Sequence, residues 1–482
     1  MRLGQITSIH FVSNLLASVL GFVATIYFAR VLGPEPLGVY NLTLSLVAWL
    51  AIVGTMGFSG AISKRISEGD EPGAYAVAGV LIVAVFFCLV AIVLVATRHH
   101  VNAYIGFPVT RFLILILLVV LIFSVVNDIL TGVGLVHVYG ILISVKVGTR
   151  SLVQAIFVVA GFSITGLFVG HIAGIALVGL IGSYIALHNV LTLVRPKIRH
   201  FVDLIDFAKY SWLGEIRGNM FNYMDVIILG FFVSQTLIGI YSVAWNIAHF
   251  LVIFSGSITN TLFPEMSRLS NEENPAAVSD LVEKSLTYGG LFLIPGLFGG
   301  MLLGEQILRL YGPEFPQGAT ILAVLIIAQM VQGYQSQLMN TLNGIDRPEL
   351  AFRVNGIFVI ANLLLNVLLI YLYGWVGAAL ATAISAGISY VVSYIYVNSI
   401  VDFSFPGMEI LYQIVASIVM ACVVYGGLWV KNTFALLQNN IVLVLSLVIL
   451  GAGVYFVSLL TLSVDFRETV ARNLPVGFVE YF

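Results

Sequence analysis

Lys146, Arg150 and Gln154 recur at four-residue spacing inside an apolar run, which puts all three on one helix face. Two cations and an amide so placed suit one of two jobs. Nearby acids neutralise them in a structural ion pair, or they form a cationic patch for an anionic substrate. Arginine suits phosphate, because its planar fork donates two parallel hydrogen bonds. A second charged run, GEIRGNMFNYMDVIILGFF from Gly214 to Phe232, sets Glu215, Asn219 and Asn222 on a shared face, with Asp225 on its edge and Arg217 turned further away. In hydrocarbon each charge costs about 2.5–3.5 kcal/mol at a helix centre, so it must be paired, hydrated or both. Arg217 either faces a cavity or pairs with Glu215 or Asp225. Glu215 and Asp225 are the candidates to carry a coupling proton or cation, since burial raises a carboxylate's affinity for protons. For Asp225 the competing role is a structural pairing near the end of its helix.

The elements that hold these residues are set by composition. Only 9% of the 482 residues are charged, against about 25% in soluble domains. Apolar runs long enough to cross a hydrocarbon core of about 30 Å recur throughout. Fourteen segments are expected, over 8–31, 37–58, 74–96, 109–131, 138–165, 167–193, 207–232, 236–264, 285–303, 318–342, 352–372, 376–400, 409–430 and 440–461. The fold class is an all-α polytopic membrane protein. The first segment is too long for a signal-peptide core and reads as an uncleaved helix. With both termini in the cytoplasm, 13 of the 21 Lys and Arg residues fall inside, 5 outside and 3 within spans, the asymmetry of the positive-inside rule. Net charge of −2 gives no reason to invoke nucleic acid. Cys88 and Cys422 lie in apolar runs and read as buried small hydrophobes.

Polar residues then fall into stripes. Thr7, His10, Asn14, Ser18, Gly21 and Thr25 share about 80° of arc on the first helix. Ser242, Asn246, His249 and Asn260 do so on the eighth, Gln329, Gln332, Ser336 and Asn340 on the tenth, and Asn355, Asn362 and Asn366 on the eleventh. Any one stripe suits helix-to-helix hydrogen bonding as well as a cavity. Together they suit a water-filled cavity between two helical lobes. An internal echo points the same way: LGVYNLTLSLVAWLAIV (37–53) lies on IGIYSVAWNIAHFLVIF (238–254), superposing Gly38 on Gly239 and Tyr40 on Tyr241, 201 residues apart. Repeated halves with a site at their interface are a common transporter construction. Enzyme chemistry has little to rest on. The chain has no HExxH, GxSxG, P-loop or paired CxxC, and His99 and His100, adjacent in a predicted outer loop, point different ways. No metal or cofactor is expected.

FARVLGPEPLGVYNL (28–42), MDVIILGFFVSQTLIGIYSVAWNI (224–247), TLFPEMSRLS (261–270), ILRLYGPEF (307–315) and LNVLLIYLYGWVGAALATAIS (365–385) together resemble, in this order, the polysaccharide transporter family of the multidrug/oligosaccharidyl-lipid/polysaccharide exporter superfamily. The resemblance implies two pseudo-symmetric six-helix lobes, 1–200 and 201–400, followed by two helices and a cytoplasmic tail in 401–482. It implies a flippase of the cell (plasma or inner) membrane, carrying polyprenyl-phosphate or -pyrophosphate oligosaccharide outward by alternating access. Lys146, Arg150, Arg217 and Arg30 would then meet phosphate. Asn14, Ser18, Asn219, Asn222, Asn246, His249, Gln332, Asn340 and Asn362 would line the cavity. A monomer bathed in membrane lipid is expected, with glycan-assembly proteins as partners. The competing function is a cation-coupled multidrug or organic-cation antiporter of the same superfamily.

Overall fold

The computed structural model describes residues 19–55, 57–189, 194–271, 275–434 and 439–473. Among them the chain is helical throughout, with no strand. Helix α1 is described over Val19–Leu32. It is followed by α2 (Pro34–Thr55), α3 (Phe58–Ser67), α4 (Pro72–Ala96), α5 (Arg98–Ile105), α6 (Thr110–Gly132), α7 (Val136–Val159), α8 (Ser163–Asn189) and α9 (Ile198–Phe232). Then come α10 (Gln235–Phe250), α11 (Val252–Asn271), α12 (Pro275–Arg309), α13 (Ala319–Gly344), α14 (Pro348–Tyr373), α15 (Trp375–Asn398), α16 (Gly407–Phe434), α17 (Asn440–Leu462) and α18 (Val464–Asn473). Eleven helices among the described residues are long and apolar enough to cross a membrane. The protein is a polytopic, multi-pass membrane protein.

The helices outrun the apolar segments wherever charged residues can be carried along. Residues 59–73 and 194–206, read as connections, hold α3 and the start of α9. A helix satisfies its own backbone, so leaving hydrocarbon does not end it. α9 has 35 residues, about 52 Å at 1.5 Å each, well beyond a core of about 30 Å. The loop expected at His99 and His100 likewise folds into α5. The eighth segment is two helices, broken at Leu251, whose side chain packs where a Cβ on Gly296 would come within 2.7 Å. Gly and Pro punctuate in the usual sense: Gly33, at φ 82°, ends α1, and Pro34 opens α2.

Two compact units result. The first comprises Met1–Ser242 with Asn366–Trp375, and the second Val243–Leu365 with Val376–Phe482. In the first, α6 packs on α2, α3, α4, α7 and α8, and its Leu113, Ile116, Leu117 and Leu130 are fully buried. In the second, α12 packs on α11, α13, α16 and α17. One core cluster there gathers around Val282, Leu286, Leu338 and Val397, and another around Met420, Leu443 and Tyr455. Cys88 and Cys422 are exposed, correcting the expectation of burial. They sit on α4 and α16, whose apolar outer faces hydrocarbon covers.

Within the first unit the sequence echo becomes a contact. A Cβ on Gly38 would fall 1.8 Å from the Gln235 carbonyl oxygen, and one on Gly239 would fall 1.9 Å from that of Pro34. The two glycines, and likewise the two carbonyls, are 201 residues apart, so the backbone crossing of α2 and α10 is reciprocal.

Candidate functional site

The site is built on the α7–α8 pair. Gly170 and Gly174, one turn apart on α8, face the α7 backbone; a Cβ on either would lie 2.5 Å from Gln154 Cα and 2.4 Å from Arg150 Cα. This close packing fixes where Arg150 and Gln154 leave α7. Gln154 is buried and its Nε2 donates both to the Leu167 carbonyl, at 2.8 Å, and to Tyr40 Oη, at 2.9 Å. Tyr40 Oη and His171 Nδ1 are 2.6 Å apart. Either the hydroxyl donates to Nδ1 or an Nδ1–H donates to the hydroxyl, according to the ring's tautomer. The chain Leu167–Gln154–Tyr40–His171 ties α8, α7 and α2 together. His171 is 4% exposed.

Lys146 and Arg150 lie beside this chain, near enough to His171 for both charges to act on the ring. Lys146 Nζ sits 4.4 Å from the centroid of the Phe123 ring, a cation–π contact. The Nε of Arg150 is buried and has no hydrogen-bond partner among the described residues. Neither cation forms an ion pair with an acid there; the strongest neighbouring charge on Lys146 is Arg150 itself. Ion pairs among the described residues are peripheral, as at Arg65–Glu68 and Arg309–Glu305. Two like charges half-buried together repel, and an anion between them would relieve that.

The other candidates scatter. Asn219 Nδ2 donates to the Ala48 carbonyl at 3.0 Å, joining α9 to α2. Asp225 is 3% exposed and accepts a hydrogen bond from the Tyr241 hydroxyl. Arg217 and Asn222 are half-buried on α9, and Arg30 is exposed at the end of α1. Asn246 and His249 are exposed on α10, the His249 ring stacked on Trp245. Asn340 is half-buried on α13. Within the second unit Gln332 donates to Gln335 and Ser336, Gln335 donates to Ser389, and Asn362 donates to Ser385 at 3.1 Å. The Gln335 and Asn362 bonds run helix to helix, whereas these two Gln332 bonds lie within α13. Asn14 and Ser18 lie outside the described residues, and Glu215 falls in 209–215, whose side chains are outside them too. Among the described residues no group of three or more His, Cys, Asp or Glu is placed to hold a metal ion.

Tyr40 and His171 were absent from the sequence candidates. Both left a signal: Tyr40 stands in the echoed motif, and His171 is a lone imidazole in GLFVGHIAG, beside the glycines that bring two helices together.

The family model described as polysaccharide biosynthesis protein matches residues 3–270, more than half of the chain. The chain belongs to that family. A second model, MatE, matches residues 213–368. Among curated relatives, the probable flippase AglR of Haloferax volcanii is 30% identical over 98% of both chains. The probable low-salt glycan biosynthesis flippase Agl15 of the same organism is 29% identical, covering 96% of this chain and 97% of its own. Among solved structures, the lipid II flippase MurJ in an inward closed conformation superposes with a TM-score of 0.78 at 16% identity, covering 96% of this chain and 99% of its own. That likeness extends the family's fold over the whole length.

Proposed function

We propose that this chain is a flippase that moves polyprenyl-(pyro)phosphate-linked oligosaccharide from the cytoplasmic to the outer leaflet by alternating access. It serves cell-surface polysaccharide or glycoprotein glycan assembly and catalyses no reaction. The observation that carries the reading is the Lys146–Arg150 pair, two cations without an acid among the described residues, beside the buried His171. An anionic head group is what such a site lacks. Names of two relatives matched along nearly their whole length, AglR and Agl15, support the transport reading.

In this reading fourteen spans form two pseudo-symmetric lobes, 1–200 and 201–400, plus two helices in 401–482, with both termini cytoplasmic. Arg217 and Arg30 supplement the cations on the path. Asp225 is committed to Tyr241, which leaves Glu215 as the stronger coupling candidate. The protein acts as a monomer in the plasma membrane and meets glycan-assembly proteins there. The MatE match over 213–368 favours the organic-cation antiporter, but an acid-lined cavity, which that function needs, is not what α7 and α8 build.

The test is reconstitution into vesicles with a fluorescent polyprenyl-pyrophosphate oligosaccharide. Lys146→Ala/Arg150→Ala is expected to cut leaflet transfer at least tenfold while the protein stays folded. Equal transfer in both proteins makes the pair structural. No transfer by wild type under any ion gradient sinks the flippase reading.

A further inference from the structure

A groove of about 830 Å³ lies away from the site, between α2, α3, α4 and α9 of the first unit. Its walls carry four aromatic side chains, Trp49, Phe58, Phe86 and Phe201, with aliphatic residues between them. Along α9 the lining runs from Phe201 through Ile205 and Ala208 to Ile216, fifteen residues or about 22 Å of helix. Ile205, Leu81, Val85 and Val53 are exposed, so the groove opens sideways, toward hydrocarbon. Trp49 Nε1 is buried without a hydrogen-bond partner among the described residues.

Cations border the groove. Lys64 Nζ stands 4.7 Å over the Phe207 ring, next to the lining residue Ala208. Lys64 forms no ion pair with an acid among the described residues. Two residues before Phe201, Arg199 reaches Glu71 at 2.8 Å, with Lys197 3.6 Å from the same carboxylate. The groove therefore suits a single-chain amphiphile: an apolar, aromatic-walled trough with the Lys64 cation beside it.

We infer that this groove holds the head-proximal part of the isoprenoid tail of a polyprenyl phosphate, with the phosphate toward Lys64. The inference rests on the flippase reading and adds to it a place for the tail. Repeated trisubstituted double bonds present π-faces and methyl groups to the aromatic walls at every unit. A saturated phospholipid has neither, and its two chains would compete for one trough. Length agrees as well, since a groove of about 22 Å takes part of a long tail and leaves the rest in the bilayer.

The experiment uses a polyprenyl phosphate with a diazirine in a head-proximal isoprene unit, added to the reconstituted full chain, irradiated, and read by peptide mass spectrometry. Labels are expected in 49–58, 81–86 and 201–216. Unlabelled polyprenyl phosphate should compete them away, while a tenfold larger excess of phosphatidylglycerol should not. Ala208→Trp or Val53→Trp, which fill the trough from different helices, should each lower labelling at least fivefold. Labels elsewhere, or equal competition by phosphatidylglycerol, overturn the inference. Labelling in the groove by a protein that transfers no lipid keeps the groove and removes the flippase reading. Transfer with labels elsewhere does the reverse.

Discussion

Replacing Tyr40 with Phe removes one oxygen from a chain of three hydrogen bonds. His171 Nδ1 loses its partner, and Gln154 Nε2 keeps only the Leu167 carbonyl. A buried polar atom left unpaired costs about 1–3 kcal/mol, so Tyr40→Phe should unfold at lower temperature in detergent. It should also raise the lipid concentration for half-maximal transfer several-fold, because the ring and Gln154 beside Lys146 and Arg150 are no longer held. A thermal melt beside a transfer titration checks both; unchanged titration would confine Tyr40 to holding helices together. Legibility at this scale follows from distance along the chain. Lys146, Arg150 and Gln154 were readable because a helix places i and i+4 together whatever its neighbours do. Tyr40 and His171 meet across 131 residues, and local periodicity carries nothing about that. Asn362 illustrates the converse: an amide reads the same whether it faces water or, as here, a neighbouring helix.

Elements were legible where hydrophobicity ends them and illegible where geometry does. Each of the fourteen apolar segments coincides with described helix in whole or part, yet α3, α5 and the first turns of α9 were missed because charged residues continue a helix without making it apolar. The start of α9 is tied to the start of α4 through Glu71. Its carboxylate accepts from Arg199 and from His200 Nε2, the latter at 2.7 Å. The Arg199 hydrogen bond first, and His200 second, hold the carboxyl down at about 2 against its ordinary 4.5. A carboxyl depressed on folding contributes fully above its unfolded value and loses that contribution as pH falls through the folded one. Glu71→Gln should therefore lower the melting temperature at pH 7, and the gap to wild type should narrow as pH falls from about 4.5 toward 2. A constant gap would mean the charge is irrelevant. The glycine crossing gives a second test. Gly38→Ala and Gly239→Ala should each cost about 1–3 kcal/mol by overpacking, and by similar amounts, since the contact is reciprocal; a large difference between them in melts would deny the symmetry.

For the whole molecule the informative quantity is sidedness. The basic residues near Ser67 are assigned inside and His100 outside. A single cysteine at His100 should label with an impermeant maleimide in intact cells, and one at Ser67 only after the membrane is opened. The reverse pattern would invert the topology while leaving every helix in place. That experiment reaches what composition foretold well, a many-spanned membrane protein, and what it could not show, namely which helices join one compact unit. Ser242 and Val243 are neighbours in one helix but fall in different units, a division made by packing partners far away in sequence.

The crossing of α2 and α10 also bears on the membrane as an electrical barrier. The two helices meet carbonyl to glycine, with no side chain between them, at ends assigned to the outer surface. At that one turn there is no side chain whose change of rotamer could open a path for water. What shuts that point of contact to ions is backbone alone, through the absence of two β-carbons.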